Sequence, residues 1–284
     1  MNRALRWLKN ALLGLVVLVI VAVTSAYALS ERTIRRTYTA PATNIAVPTD
    51  SASVAEGMRL AKIHGCAGCH GSQLEGQIFI DEPLIARVAS PDLTIAARAY
   101  SDAELVRIIR HGVRPDGRSV VGMPSGMFSS LRDDDLGKII AYIRSLPPSE
   151  GQRRDVTLRL GARIMFAAGK FKPAAVEVRE AQAASASFPR PGEANSEGAY
   201  LARTVCTECH GAKLEGDTRG SPDLRIAAGY TLEQFTHLMR TGKALGDREL
   251  ELMSSVARNR FSHFTDDEIR ALHSYLVARP AVHQ

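Results

Sequence analysis

With 284 residues, 45% of them apolar and only 6% aromatic, the chain is long enough for about two domains with modest protein cores. Its net charge of +6 is concentrated: residues 1–49 hold 6 basic against 1 acidic side chain, and residues 147–192 hold 8 against 4. Residues 50–146 hold 11 basic against 12 acidic, and 193–284 hold 11 against 13, so neither long segment offers the basic face that nucleic acid requires.

The first element is apolar. Arg3, Arg6 and Lys9 precede an uncharged run from Ala11 to Leu29. As a helix its 19 residues span about 29 Å, close to the hydrocarbon core of a bilayer of roughly 30 Å. Residues 1–30 therefore read as a transmembrane anchor or signal-anchor, with the basic flank in the cytoplasm. The competing reading is a cleaved signal peptide, because Ala26-Tyr27-Ala28 has the small-x-small form of a cleavage site. Both readings export everything that follows. The run is longer than a usual signal core, and Arg32, Arg35 and Arg36 follow it closely, which favours a single-pass inner-membrane anchor. Residues 31–52, rich in Thr, Ala, Pro and Asn, read as an extended tether that lifts the next domain off the membrane.

The first domain, 53–147, opens on a helix near Val54–His64, where Val54, Met58, Ala61 and Ile63 line one side. Cys66-Ala67-Gly68-Cys69-His70 follows, and Cys206-Thr207-Glu208-Cys209-His210 repeats it in the second half. C-x-x-C-H is the attachment pattern of a c-type haem. Two thiols three positions apart on a helical turn reach the two vinyl groups of one porphyrin, and the adjacent imidazole reaches the iron. A thioredoxin-like dithiol or half a zinc site are the plainer readings of one such match. Here two matches consume all four cysteines of the chain, leaving none for disulfides. Two covalently attached haem c groups are expected, and with them a periplasmic location. A looping stretch then leads to a helix over Ser101–His111, with Ser101 and Glu104 as capping box and Gly112 as stop. A Gly-, Pro- and Ser-rich loop carries Met123-Pro124, and a last helix over Arg132–Ser145 stops at Pro147-Pro148.

After a basic linker, 148–193, the second domain, 194–284, repeats this order. Glu56-Gly-x-x-Leu-Ala-Lys matches Glu197-Gly-x-x-Leu-Ala-Arg, and Leu74-Glu-Gly matches Leu214-Glu-Gly. Ser90-Pro-Asp-Leu-x-Ile-Ala-Ala matches the run from Ser221, and Phe128-x-x-Leu-x-Asp-Asp-Asp matches Phe261-x-x-Phe-x-Asp-Asp-Glu. On these motifs each half resembles a class I cytochrome c, so the expected fold is all-α, two tandem haem domains after a transmembrane helix. The pair is similar to the membrane-attached cytochrome c subunits of bacterial dehydrogenases. The resemblance implies haem binding at Cys66, Cys69, His70, Cys206, Cys209 and His210. It also implies axial iron ligation by His70 and His210, with a distal Met in the loop before the last helix. Met123 fits in the first domain, with Met127 as its rival. In the second, Met253 is the candidate and His263 the competitor. Aligning Phe128 with Phe261 puts Val256 at the place of Met123, but the second loop is longer. The resemblance further implies that the carbonyls of Pro91 and Pro222 orient the two proximal histidines; plain turn formation is the alternative for both.

His64 sits too near the attachment turn to reach the opposite haem face, and His111, His237, His263 and His273 read as surface or packing residues. No nucleophile–base arrangement or phosphate-binding glycine loop stands out, and the acidic runs at 133–135 and 266–268 suit helix N-termini. In the linker, Arg153, Arg154, Arg159, Arg163, Lys170 and Lys172 are interleaved with apolar residues. That mixture suits anionic lipid, a membrane partner, or packing between the domains. The expected function is electron transfer between redox proteins, such as a membrane dehydrogenase or a terminal oxidase, without catalysis by the chain itself. The alternatives are a dihaem peroxidase or thiosulfate-oxidising cytochrome with one open iron, and a haem-based sensor.

Overall fold

The apolar run folds as one helix, α1 (Arg3–Ile34), in the computed structural model, which describes residues 3–41, 43–149, 156–216 and 220–279. Its large side chains from Leu12 to Val21 stand clear of the rest of the protein, and the helix is long and apolar enough to cross a membrane. The stretch expected to be a free tether is extended but docked. Tyr38 is buried, its amide donates to the Gly117 carbonyl at 2.8 Å, and Ile45 and Val47 pack on the main core. Apolar side chains at alternate positions of an extended strap have one face to bury, and this one buries it on the first domain.

In that domain α2 (Ser51–Ile63) leads into the short α3 (Cys66–His70). The looping stretch expected next is instead an antiparallel hairpin, β1 (Ile78–Glu82) and β2 (Ala86–Ala89). Then come α4 (Leu93–Ala99), α5 (Asp102–His111), α6 (Ser125–Phe128) and α7 (Asp133–Ser145). α5 carries the expected capping box of Ser101 and Glu104 and ends on left-handed Gly112. The linker is folded on this domain rather than strung between two. β3 (Thr157–Leu158) extends the hairpin sheet, α8 (Leu160–Ala167) packs along α1, and α9 (Ala174–Ala184) packs on α6. Arg153 and Arg154 lie outside the described residues.

The second domain has α10 (Ser196–Val205), α11 (Thr207–His210), a 3-10 turn at Leu224–Gly229, and α12 (Leu232–Thr241). A two-residue hairpin, β4 (Lys243–Ala244) with β5 (Arg248–Glu249), precedes α13 (Leu252–Asn259), a 3-10 turn at Phe261–His263, and α14 (Asp266–Ala278). α13 fills the longer second loop. Its Ser254 carbonyl lies over Gly242, the C-cap of α12, as Ala174 at the start of α9 lies over Gly112.

First and last helices cross tightly in both domains. A Cβ on Gly57 would stand 1.9 Å from the Lys138 carbonyl oxygen, and one on Gly198 would stand 2.0 Å from that of Ala271. These are matching positions of the repeat, so the glycines of the two Glu-Gly motifs serve helix contact. Around the crossings lie Leu60, Ile63, Leu136, Ile140 and Ile143 in one domain and Leu201, Val205, Ile269, Leu272 and Leu276 in the other. All belong to one continuous core.

The domains meet through related pairs. Arg59 donates two hydrogen bonds to Glu268, at 2.7 and 2.9 Å. At the matching positions the Tyr200 hydroxyl donates to Asp135. Burial and the neighbouring Asp135 hold that hydroxyl far above the usual phenol range, so it stays a donor. Arg132 stacks over the Tyr200 ring at 4.0 Å and forms a forked pair with Glu197, at 3.1 and 2.6 Å. An interface in which residue i meets j and the equivalent of j meets that of i has the logic of a two-fold dimer, here inside one chain.

Replacing Gly57 with Ala forces a backbone carbonyl and a helix apart. The expected loss is about 1–3 kcal/mol or more, read as a lower Tm. Ala at exposed Gly169 has open space around its Cβ, although its positive φ is strained, and leaves the helix crossing untouched.

Candidate haem-attachment sites

Both C-x-x-C-H motifs fold as the expected helical turn directly after the first helix of their domain. Gly65, in the left-handed region at φ 76°, turns the chain from α2 into α3. In the second motif, which starts directly after its helix rather than two residues further on, Cys206 is itself the junction between α10 and α11. The first turn is held from outside: the Ser90 hydroxyl donates to the Cys69 carbonyl, and Gln77 Nε2 donates to that of Gly68 at 2.7 Å.

His70 Nδ1 lies 2.9 Å from the Pro91 carbonyl oxygen and His210 Nδ1 lies 2.8 Å from that of Pro222. A carbonyl only accepts, so each Nδ1 carries the proton and each Nε2 keeps its lone pair. This arrangement presents a neutral imidazole as a metal ligand with ring orientation fixed by its other nitrogen. Burial holds the His70 pKa below the ordinary imidazole value, opposed by the Pro91 bond.

The Leu-Glu-Gly repeat builds the cradle that brings each proline to its histidine. Leu74 and Leu214 are fully buried yet adopt left-handed backbone, at φ 60° and 61°. A β-carbon in that region costs roughly 1–2 kcal/mol, and the same cost is met twice. In return, the Leu74 carbonyl accepts from Leu93 N at 2.8 Å and that of Leu214 from Leu224 N at 3.0 Å, which ties down the segments after Pro91 and Pro222. Gly76 and Gly216, at φ 75° and 82°, donate to the carbonyls of His70 and His210 at 2.6 and 2.9 Å. A Cβ on Gly76 would stand 2.8 Å from the Ser90 carbonyl oxygen, and one on Gly216 would stand 2.5 Å from that of Ser221.

The thiols are unlike those of a dithiol oxidoreductase. Burial pushes Cys66 up to about 11 and Cys206 up to about 12, away from the lowered values that make reactive thiolates. None of the four cysteines is in a disulfide. Among the described residues no group of three or more His, Cys, Asp or Glu is placed to hold a metal ion, which disfavours the zinc reading. Two apolar cysteines beside an oriented histidine, repeated, fit covalently held haem.

The two sites share a junction. Arg260, at the C-cap of α13, donates through Nε to the Ile63 carbonyl at 3.0 Å and through Nη1 to Glu208, inside the second motif, at 3.2 Å. Its guanidinium is also the neighbour that a Cβ on Gly65 would strike. Its Nη2 is buried without a partner, as is Nε2 of His64, whose Nδ1 bonds the Leu60 carbonyl at 2.8 Å. Burial drops His64 to about 4, so it is neutral. The repeat counterpart of Arg260 is Met127, which is buried in α6, and α6 packs on α10 and α11. Met123 lies in the loop before α6 and Met253 in the first turn of α13. Both are half-buried against the core that holds Cys66 and Cys206. His263 follows Arg260 in the interface turn, where its carbonyl accepts from Arg59.

Residues 52–143 match the family model described as cytochrome c oxidase, cbb3-type, subunit III, and residues 196–279 match the one described as cytochrome c. The chain is a dihaem c-type cytochrome. It carries two class I domains in tandem, each with covalently bound haem, and its function is electron transfer. The cytochrome is 23% identical over 275 residues to the cytochrome c subunit of alcohol dehydrogenase (quinone) from Gluconacetobacter polyoxogenes, covering 82% of this chain and 57% of that protein. It is 25% identical over 262 residues to the fructose dehydrogenase cytochrome subunit from Gluconobacter japonicus, covering 81% of this chain and 53% of that protein. The chain thus spans about half the length of the curated relatives it matches. These relatives favour a carrier over a dihaem peroxidase.

Sequence reading located the cysteines, histidines and prolines but missed Gly76, Gly216 and Arg260. The glycines were visible in the repeated Leu-Glu-Gly, whereas Arg260 has a methionine as its counterpart and left no repeat signal. Gly76→Ala is expected to push the Pro91 segment off His70. The weaker Nδ1 bond makes the imidazole a poorer donor, so one of the two haem potentials should rise while the other holds. Potentiometric titration with optical detection reads both.

Proposed function

We propose that the cytochrome is the electron-transfer subunit of a membrane-bound dehydrogenase. It takes electrons from a redox partner at one domain and passes them through the other to an acceptor, in the periplasm and anchored to the inner membrane by α1. Each bound haem supplies a one-electron couple; the polypeptide supplies position. The observation that carries the reading is the single Arg260 guanidinium between the end of α2, three residues before Cys66, and the second attachment motif. It joins the approach to the first attachment turn to the second motif, which supports transfer from one domain to the other. The printed names of the relatives, cytochrome subunits of alcohol and fructose dehydrogenases, support the choice of complex.

On this reading Cys66 and Cys69, and Cys206 and Cys209, bind the two haems. Nε2 of His70 and of His210 are the proximal ligands, and Met123 and Met253 the distal ones. Met127 is the weaker candidate because its repeat counterpart, Arg260, serves the interface, a packing role that suits a buried methionine in α6. Met253 differs from Met123 in standing on a helix, but it keeps the half-buried contact with the core.

Met–His ligation raises the potential. Met123→Ala and Met253→Ala are each expected to abolish one of two Met–iron charge-transfer signatures, lower one potential, and let one ferrous haem take up carbon monoxide. Loss of neither signature in a variant would remove that methionine. Uptake of carbon monoxide by the wild type would instead favour an enzyme with an open iron.

Arg260→Gln removes a cation near both motifs and leaves Glu208 there. Positive charge disfavours the oxidised, more positive state, so both potentials should fall, and more at low than at high ionic strength. A drop in only one would mean that the guanidinium serves one haem alone.

A further inference from the structure

α8 packs along the last turns of α1, and its free side is apolar. The covered side of α1 runs from half-buried Val23 through buried Ala26 and Ser30 to half-buried Glu31, Thr33 and Ile34, and α8 packs along the helix. Val23 and Ala26 lie inside the apolar run that ends at Leu29. α8 therefore overlaps the end of the run instead of hanging above it. Arg163 of α8 marks the level: it pairs with Glu31, donates to the Ser30 hydroxyl at 3.3 Å, and stacks over the Tyr27 ring at 5.2 Å. A tyrosine and a charged pair at the end of an apolar helix are what the headgroup zone of a bilayer selects.

Beside α8 sits the tip of the first hairpin. Gly161 N donates to the Leu84 carbonyl at 2.9 Å, Ala162 N to that of Ile85 at 3.3 Å, and Arg159 N to the same oxygen at 3.0 Å. This clamps the tip to the N-terminal turn of α8. Leu84 is 82% exposed, the highest value among the large apolar side chains of the described residues, and Ile164 is 50% exposed. Ile85 and Leu160 stand open between them. Leu160 and Ile164 are four apart on one helix face. Arg32, Arg35 and Arg36 are exposed at the end of α1, Arg35 in a pair with Glu31. At the hairpin tip exposed Asp81 is paired with Arg87 and Arg159, and Glu82 is exposed beside it.

We propose that this patch, the tip of the hairpin together with the Leu160–Ile164 face of α8, is a second membrane contact. Leu84 and Ile164 enter the headgroup–acyl boundary of the bilayer that α1 crosses, and the exposed arginines at the end of α1 meet its anionic headgroups. Continuity with the end of the spanning helix names the occupant: a surface clamped at the level of Tyr27 and Glu31 meets lipid as soon as α1 is inserted. The consequence is that the first domain has a fixed tilt and height on the membrane rather than swinging on a tether. This inference rests on α1 being a spanning helix.

The test uses the full-length, haem-loaded chain in nanodiscs of neutral and anionic phospholipid. Single variants Leu84→Cys, Ile164→Cys, Leu18→Cys and Leu232→Cys each carry a nitroxide spin label, the native cysteines being held in thioethers. Power saturation compares accessibility to oxygen, which concentrates in lipid, with accessibility to a water-soluble nickel chelate. Labels at 84 and 164 are expected to show several-fold lower chelate accessibility than the label at 232, in the second domain, and a shallower depth than the label at 18. If 84 and 164 match 232 while 18 is lipid-buried, the seat is wrong and the anchor stands. If 18 is also open to the chelate, both fail.

Discussion

The closest constraint in the molecule is the crossing of the first and last helices of each domain, where no side chain fits between backbone and backbone. With a Cβ at Gly57 standing 1.9 Å from a carbonyl oxygen, α2 and α7 approach as only glycine allows. The attachment turn begins three residues beyond the end of α2, so the position of Cys66 and His70 is set by that crossing. The same holds for Gly198, α10, α14 and the second motif. The modest aromatic content fits a design in which close backbone contact and a covalently held porphyrin, not large side chains, fill the domains.

Duplication explains the interface as well as the domains. Arg59–Glu268 and Tyr200–Asp135 occupy matching places with different chemistry, an ion pair in one and a neutral donor on a carboxylate in the other. The pair Met127 and Arg260 has diverged further. Where one copy presents a buried thioether, the other sends a guanidinium across the junction to the Ile63 carbonyl while pairing with Glu208 of its own motif. A near two-fold arrangement with unequal contacts gives two similar attachment sites different electrostatic surroundings.

The segments outside the repeats complete the first domain. α9, from the linker, closes over Gly112 as α13 does over Gly242, so a helix found in the second loop of one domain is borrowed from a later segment in the other. β3 and α8 join the hairpin and α1 in the same way. The first domain is thereby tied at both its ends to α1, through the strap at Tyr38–Val47 and through Arg163 on Glu31. Among the described residues of the strap and the linker, few remain to act as a free spacer.

The haem motifs, the capping box at Ser101 and the tandem order were legible in the sequence because each is local chemistry at fixed spacing or a repeat of it. The proline partners, 21 residues from His70 and 12 from His210, came only from the family resemblance. Ser101 with Glu104, and Gly112 after His111, needed no tertiary information to be read as a helix start and stop. The hairpin at Ile78–Ala89 was not legible, since its third strand comes from residues 157–158, about seventy positions away. The docked strap, the folding back of the linker and the role of Arg260 were hidden for the same reason. Their partners are remote in sequence, and a basic or apolar residue alone does not say what it will meet. Sequence thus determined which side chains the haems require and where the helices begin and end. Tertiary structure decided which backbones touch, because close approach, burial and the pairing of a guanidinium with distant carbonyls exist only once the two copies are packed together.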